Sequence, residues 1–392
     1  MNKQAFMGLI IYPILLMILA AKYCLNHSFG WSELQFVLLG YYVTNISVGI
    51  GLHRLWAHHS YKTNKAVEFI LALLSAGALQ GPAIAWASDH NKHHTYTDQE
   101  LDPHTPKKYS NKIKGFLWSH IGWMLFAKFS YKSIDTVTLK KLGTNKILIW
   151  QMRNYWKLVF FMHIVPPFLL GYFMGGDVFS GYVSFLFIGL GRCLQQQATF
   201  CVNSMCHFFG VKRYTNGTAR DIWWLALFLL GENWHNFHHA FPRDYRNGVK
   251  WYHLDVHKWI IYAMYKVGLA WDLEATPDFR IKAKAEETSR QTLSTIQSEW
   301  QSLGQMYETF SENLYAKIVE LESAALLESA ALKSNLYKNL EELRLKTDIV
   351  ISDIRKIIDS PDRSSARLIK VTHNNLQRWQ HKFEVITRAI LA

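Results

Sequence analysis

Three short histidine clusters are separated by apolar segments, and that arrangement limits the topologies open to this chain. The first cluster is His53-Arg-Leu-Trp-Ala-His58 and the second is His90-Asn-Lys-His93-His94. The third is His235-Asn-Phe-His238-His239, with Asn203 and His207 upstream of it. Each lies beside a hydrophobic stretch. An imidazole next to a bilayer is costly unless it has a partner. This density of imidazoles predicts a metal site, and more than one ion.

Four segments have the length and apolarity of membrane spans, at about 5–25, 33–52, 156–176 and 178–200. Residues 5–22 lack a clear small-residue cleavage site and read as a first transmembrane helix, not a signal peptide. Short connections at 26–32 and 175–177 predict two hairpins. A fifth apolar stretch, 67–86, is ambiguous. The hairpin 156–200 leaves and returns, so it keeps the second and third clusters on one side. A single crossing at 67–86 would separate the first cluster from the second. That stretch is therefore expected to be buried, interfacial or re-entrant, broken near Gly77, Gly81 and Pro82.

The loop 107–157 carries Lys107, Lys108, Lys112, Lys114, Lys128, Lys132, Lys140, Lys141, Lys146, Arg153 and Lys157 against one acid, Asp135. The opposite turns carry little beyond Lys22. The positive-inside rule then puts the histidine face in the cytosol. Residues 222–231 are too short to span, and Trp223 and Trp224 suit an interface. The fold class expected is all-α: an integral membrane protein with four transmembrane helices in two hairpins. A cytosolic helical cap would hold the histidine-rich dimetal site, followed by a C-terminal helical tail.

The net charge of +13 calls for an anionic context. With no nucleic-acid motif in the chain, anionic lipid or a phosphate-bearing substrate fits better than nucleic acid. Cys24, Cys193, Cys201 and Cys206 form no Cys-x-x-Cys pair and read as packing residues. From about Lys282 the sequence turns polar and Glu/Lys/Ser-rich. Residues 1–282 are expected to form the membrane domain. Residues 283–392, with the tandem repeat Leu321–Leu326 and Leu327–Leu332, are expected to form a helical hairpin or coiled-coil arm that could mediate oligomerisation.

Helical spacing tests whether the histidines can act together. At about 100° per residue, His90, His93 and His94 share one face, as do His235, His238 and His239. Asn203 and His207, four apart, share another. His53 and His58 differ, because five residues put them about 140° apart on a regular helix. Either the helix ends between them or they serve two different metals, and the second is the expectation. All-imidazole sites suit iron, zinc or copper. Nine neutral imidazoles are too many for one centre. Asn203 could hold a position through water and leave room for a small oxidant. Asp89, Asp98, Glu100 and Asp102 are candidate acceptors for imidazole N–H groups. His59, His104, His120, His163, His253, His257, His373 and His381 lack this patterning and read as ordinary, although His104 and His120 could stand behind the ligands. The chain has no flavin, haem or nicotinamide fingerprint, so electrons must come from elsewhere. The spans hold almost no ionisable residues to form a path, which argues against a metal carrier.

Five words then carry a resemblance: Gly51–His58, Trp86–His94, Asn203–His207, Gly231–Pro242 and Phe116–Trp123. In order and spacing, over roughly residues 30–275, they resemble the membrane fatty acyl desaturases of the stearoyl-CoA (Δ9) type. The resemblance implies a diiron centre and a long bent acyl tunnel. It implies that the nine histidines bind two Fe ions, that Asn203 contacts one through water, and that Gln80 and Trp86 lie near the tunnel. It implies removal of two hydrogens from a saturated acyl chain by O2 and two electrons, to give a cis double bond. Animal enzymes carry Arg where this chain has Ser88, which weakens any carry-over of CoA contacts and looks more like the bacterial branch, in an inner membrane rather than the ER. No His-Pro-Gly-Gly haem word is present, so a separate donor of ferredoxin, flavin-reductase or cytochrome b5 type is implied. The substrate could be acyl-CoA or an acyl lipid. The runner-up activity is a membrane diiron hydroxylase or alkane monooxygenase, which usually begins with His-x3-His rather than the His53…His58 spacing.

Overall fold

The computed structural model describes residues 1–126 and 134–323 and single positions beyond them. Lys128 and Lys132 of the basic loop, the repeat from residue 324 onward and Pro361 lie outside the described residues. The chain divides into two compact units, Met1–Ala285 and Glu286–Ala392. Of the second unit, the continuous described part belongs to the helix Asp278–Ser323.

Four helices are long and apolar enough to cross a membrane: Lys3–Asn26, Trp31–Ala57, Tyr155–Gly175 and Val178–Phe208. Their ends follow from local chemistry. The Asn2 side chain accepts from the backbone N–H of Gln4 and Ala5 and starts the first span. Glu33 reaches back to accept from Gly30 N–H at 2.8 Å and starts the second. Gly176, at φ 78°, ends the third span, and the Asp177 side chain caps the fourth by accepting from Ser180 N–H.

The second and fourth spans approach backbone to backbone. A Cβ on Gly40 would stand 2.2 Å from the Ile188 carbonyl oxygen, and one on Gly191 would stand 2.1 Å from that of Val37. Only glycine permits this contact, the small-residue packing expected where lipid supplies no hydrophobic drive.

Ionisable residues do sit inside the spans, contrary to the nearly uncharged interior expected, and two lie deep in the third and fourth. His163 and Arg192 are both buried. Arg192 has a local reason. Pro166 lies within the third span and has no N–H, which leaves the Met162 carbonyl without its helical donor. Arg192 Nη1 donates to that carbonyl at 2.6 Å.

The fifth apolar stretch is a broken helix. It runs from Lys65 to Ala76, stops, and restarts at Ala83 as a helix to Tyr96. Leu79 and Gly81 take positive φ in the break. Side chains satisfy the freed backbone. Gln196 donates to Ala78 O at 3.0 Å, Gly81 N–H donates to the Tyr155 hydroxyl at 2.8 Å, and Ala83 N–H donates to Gln151 Oε1 at 2.9 Å. Non-helical backbone at such a place is tolerated only with partners of this kind. The core beside it joins Leu52, Trp56, Leu71, Ile84 and Leu148. One departure from an all-α chain is a two-stranded antiparallel ribbon, Lys62–Thr63 against Ala270–Trp271.

Candidate metal centre

The second span changes its winding as it approaches the first histidines. Residues Ser47–Ala57 are π-helical, and His58 N–H donates to His53 O at 3.1 Å. Bonds from i to i+5 put residues five apart on one face. His53 and His58 therefore sit together, ring centroids 4.8 Å apart, in one group with His90 and His238. This corrects the expectation that they serve two metals, which assumed regular α-winding. The helix 83–96 brings His90, His93 and His94, the end of the fourth span brings His207, and the helix His235–Ala240 brings the last three.

The imidazoles meet through their Nε2 atoms. His58 and His90 lie 2.7 Å apart, His53 and His238 3.0 Å, and His238 and His94 2.9 Å. A second group joins His207 to His235 at 3.0 Å, His235 to His239 at 3.0 Å, and His239 to His93 at 3.2 Å. Two nitrogens held about 2.0–2.1 Å from one ion stand about 2.9 Å apart at a right angle and about 3.4 Å apart at the tetrahedral angle. The observed separations fall in or near that range. Hydrogen bonding alone does not account for them. A neutral imidazole has one N–H, yet the Nε2 atoms of His238 and His235 each meet two others. The donor set fits two ions.

Burial, and then the facing imidazoles, push His58, His90, His93, His235, His238 and His239 well below the ordinary histidine range. His94 falls to about 3 for the same reasons. Neutral rings with free lone pairs are the form a metal needs.

Carboxylates stand behind several rings. Asp102 Oδ1 lies 2.9 Å from His93 Nδ1. Burial outweighs the backbone N–H groups of Asp98 and His104 that donate to Asp102 and raises its carboxyl to about 7. His207 Nδ1 lies 2.7 Å from Thr218 Oγ1, whose hydroxyl donates to Asp98. Of the four expected acceptors, Asp102 meets a histidine directly and Asp98 does so only through Thr218. Asp89 lies 3.7 Å from Lys92 instead, and Glu100 is exposed. Sequence reasoning missed Thr218 and Glu232. Glu232 Oε2 lies 2.8 Å from His53 Nδ1. Its position three residues before His235 was the available signal. The His104 ring lies against that of His93, 4.1 Å between centroids, whereas His120 meets Ser204 Oγ at 2.9 Å and Gln197 Oε1 at 3.3 Å rather than a cluster histidine.

A cavity of about 120 Å³ opens beside the cluster, lined among others by Gln80, Trp86, His90, Thr199 and Asn203. Trp86 Nε1 donates to Gln80 Oε1 at 3.3 Å, which ties the two together. Asn2, Ala5 and Gly8 of the first span also reach it. Ser88 faces elsewhere. It is buried, and its hydroxyl accepts from Asp135 N–H at 2.9 Å.

A family profile described as fatty acid desaturase matches residues 29–273, which hold every one of these histidines. The chain belongs to the fatty acid desaturase family. Among its relatives, the probable acyl-CoA desaturase of Schizosaccharomyces pombe is 36% identical over 251 residues, covering 64% of this chain and 50% of the relative. Acyl-CoA desaturase 1 of Saccharomyces cerevisiae is 36% identical over 246 residues, covering 61% of this chain and 45% of the relative. Delta-9 acyl-lipid desaturase 2 of Arabidopsis thaliana is 35% identical over 252 residues, covering 63% and 76%. The chain thus spans about half the length of the two yeast desaturases it matches. As a desaturase-family chain with four span-length helices, it has the build of a multi-pass membrane protein.

Proposed function

We propose that this chain is an O2-dependent fatty acyl desaturase of the Δ9 type, acting on an acyl-CoA at a diiron centre. The observation that carries the reading is the pair of convergent imidazole groups beside a cavity lined by Gln80, Trp86 and Asn203. His53, His58, His90, His94 and His238 would hold one Fe ion. His93, His207, His235 and His239 would hold the other, with Asn203 reaching it through water. The irons, when bound, supply the oxidising power that removes two hydrogens from adjacent methylenes.

The rest is the work of the residues. The neutral rings offer lone pairs, and the carboxylates behind them fix their orientation. The cavity has to present one C–C bond, because neighbouring methylenes differ little in binding energy. The Trp86–Gln80 contact would shape that wall. Two electrons and two protons accompany O2, so that two waters leave as the double bond forms. The electrons come from a separate carrier of ferredoxin, flavin-reductase or cytochrome b5 type.

The spans are proposed to form two hairpins with a cap on the cytosolic face, the membrane domain ending near residue 282 and the tail 283–392 serving assembly. Ser88, which differs from the arginine of animal enzymes, supports a bacterial-branch protein in an inner membrane. Two names among the relatives leave a second reading of the substrate: the yeast enzymes are called acyl-CoA desaturases and the plant one an acyl-lipid desaturase.

The test is gas chromatography–mass spectrometry of fatty acids from cells expressing the chain with a donor system, His94→Ala serving as control. A new cis-monoene absent from the variant is expected. Hydroxylated products would move the assignment to a diiron hydroxylase. An unchanged profile with iron bound would sink it. Turnover of purified protein on acyl-CoA against phospholipid vesicles separates the two substrates.

A further inference from the structure

Glu232 joins the first histidine group to a polar cluster that contributes nothing to either group. Its Oε1 accepts from Arg54 Nη2 at 3.1 Å and lies 3.0 Å from His257 Nδ1. Its Oε2 accepts from Asn247 Nδ2 at 2.8 Å and lies 2.8 Å from His53 Nδ1. The His53 contact is a close approach off the line of a hydrogen bond, while the other three groups grip the carboxylate from behind.

Those groups are themselves fixed. Arg54, 1% exposed, also pairs with Asp255 at 3.0 Å and donates to Tyr245 O at 2.7 Å. Asp255 in turn accepts from the backbone N–H of Asn247, Gly248 and Lys258. His257 stands against Gly49, where a Cβ would lie 2.1 Å from the ring. Buried charge of this kind adds little stability over an apolar filling of the same shape, so its retention calls for another reason.

The second histidine group has its own supports, Asp102 on His93 and Thr218 with Asp98 on His207. No group named in either set reaches across to the other.

We infer that Glu232, gripped by Arg54, His257 and Asn247, is a positioning residue for the first histidine group, and that retention of that group's metal depends on it while the second group's does not. The inference rests on the two-iron reading above.

The experiment uses the full chain purified in detergent and loaded anaerobically with ⁵⁷Fe(II), read by metal analysis and Mössbauer spectroscopy. Wild type is expected to hold two irons. Glu232→Gln should weaken one of them by roughly 10–100-fold, the range for losing a group behind a metal-bound histidine, and dim one iron signal alone. Asp102→Asn should dim the other. His257→Gln keeps a donor toward Glu232 and should restore most of what His257→Ala loses, which separates positioning from packing. If Glu232→Gln does not elute as folded protein, the His257 pair carries the same test.

Two irons retained equally in folded Glu232→Gln, or both lost together, would overturn the proposal. So would a wild type that binds no metal. Wild type with two irons and no monoene product would overturn the desaturase assignment and leave the positioning role standing.

Discussion

The first and fourth spans are both long and apolar enough to cross a membrane, and they do different work. Of the apolar window of each, 11% is buried in the first and 61% in the fourth. The first span exposes Ile14, Leu15, Met17 and Ile18, a surface suited to lipid. The fourth packs Gly191 on the second span's backbone, satisfies the broken helix through Gln196, and ends at His207 in the second histidine group. Apolar length decides that a helix can cross. Its small and polar residues decide whether it also builds a site.

The largest effect should come from the end of the fourth span. His207→Ala is expected to cut monoene formation to the level of the host alone, measured by fatty acid analysis. Retained product would break the contrast, since the fourth span would then be no more than a wall.

Acid should come next. His94, His235, His238 and His239 are held below the ordinary histidine range, chiefly by burial. An unfolded chain takes protons on the same rings near pH 6.5. Below that pH the unfolded state binds more protons than the native one, so stability is full above about 6.5 and falls as pH drops through it. Metal release follows the same direction, because protons compete for the ring nitrogens. Iron content and melting temperature of purified protein between about pH 7.5 and pH 5 should fall together. A flat profile would show that the rings are held by something other than desolvation and metal.

Gly191→Leu should cost about 3 kcal/mol by forcing the second and fourth spans apart. The readout is thermal unfolding in detergent, with Gly40→Leu as its partner across the same contact. Leu15→Ala on the first span should change stability by less than about 0.5 kcal/mol. A cost of about 2 kcal/mol there would show that the first span meets a protein partner, not lipid.

Much of this was readable from the residues. Four runs of about 20 apolar residues gave the spans, and Gly77 and Gly81 marked the break before Ala83. Spacing placed His90, His93 and His94 on one face, and the structure has them there. What escaped had causes outside the local pattern. The π-winding at Ser47–Ala57 turned a spacing of five from a conflict into an agreement, and no propensity rule announces it. Arg192 went unremarked in the sequence, because its reason is Pro166, 26 positions earlier, whose missing N–H leaves a carbonyl in need of a donor. Thr218 and the ribbon at Lys62–Thr63 with Ala270–Trp271 depend on chain returns that spacing cannot reveal. The repeat in the tail was legible as a pattern, but from residue 324 onward it falls outside the described residues.

Arg54 has a consequence for how the protein is made. It lies at the end of the second span, and its two carboxylate partners follow 178 and 201 residues later. During synthesis, therefore, the guanidinium waits beside the membrane while two further spans are produced. A nascent chain stopped before residue 255 holds a cation without one of its counter-ions and histidines without their full grip. The grip on the histidine centre therefore cannot be complete until residue 257 has been made.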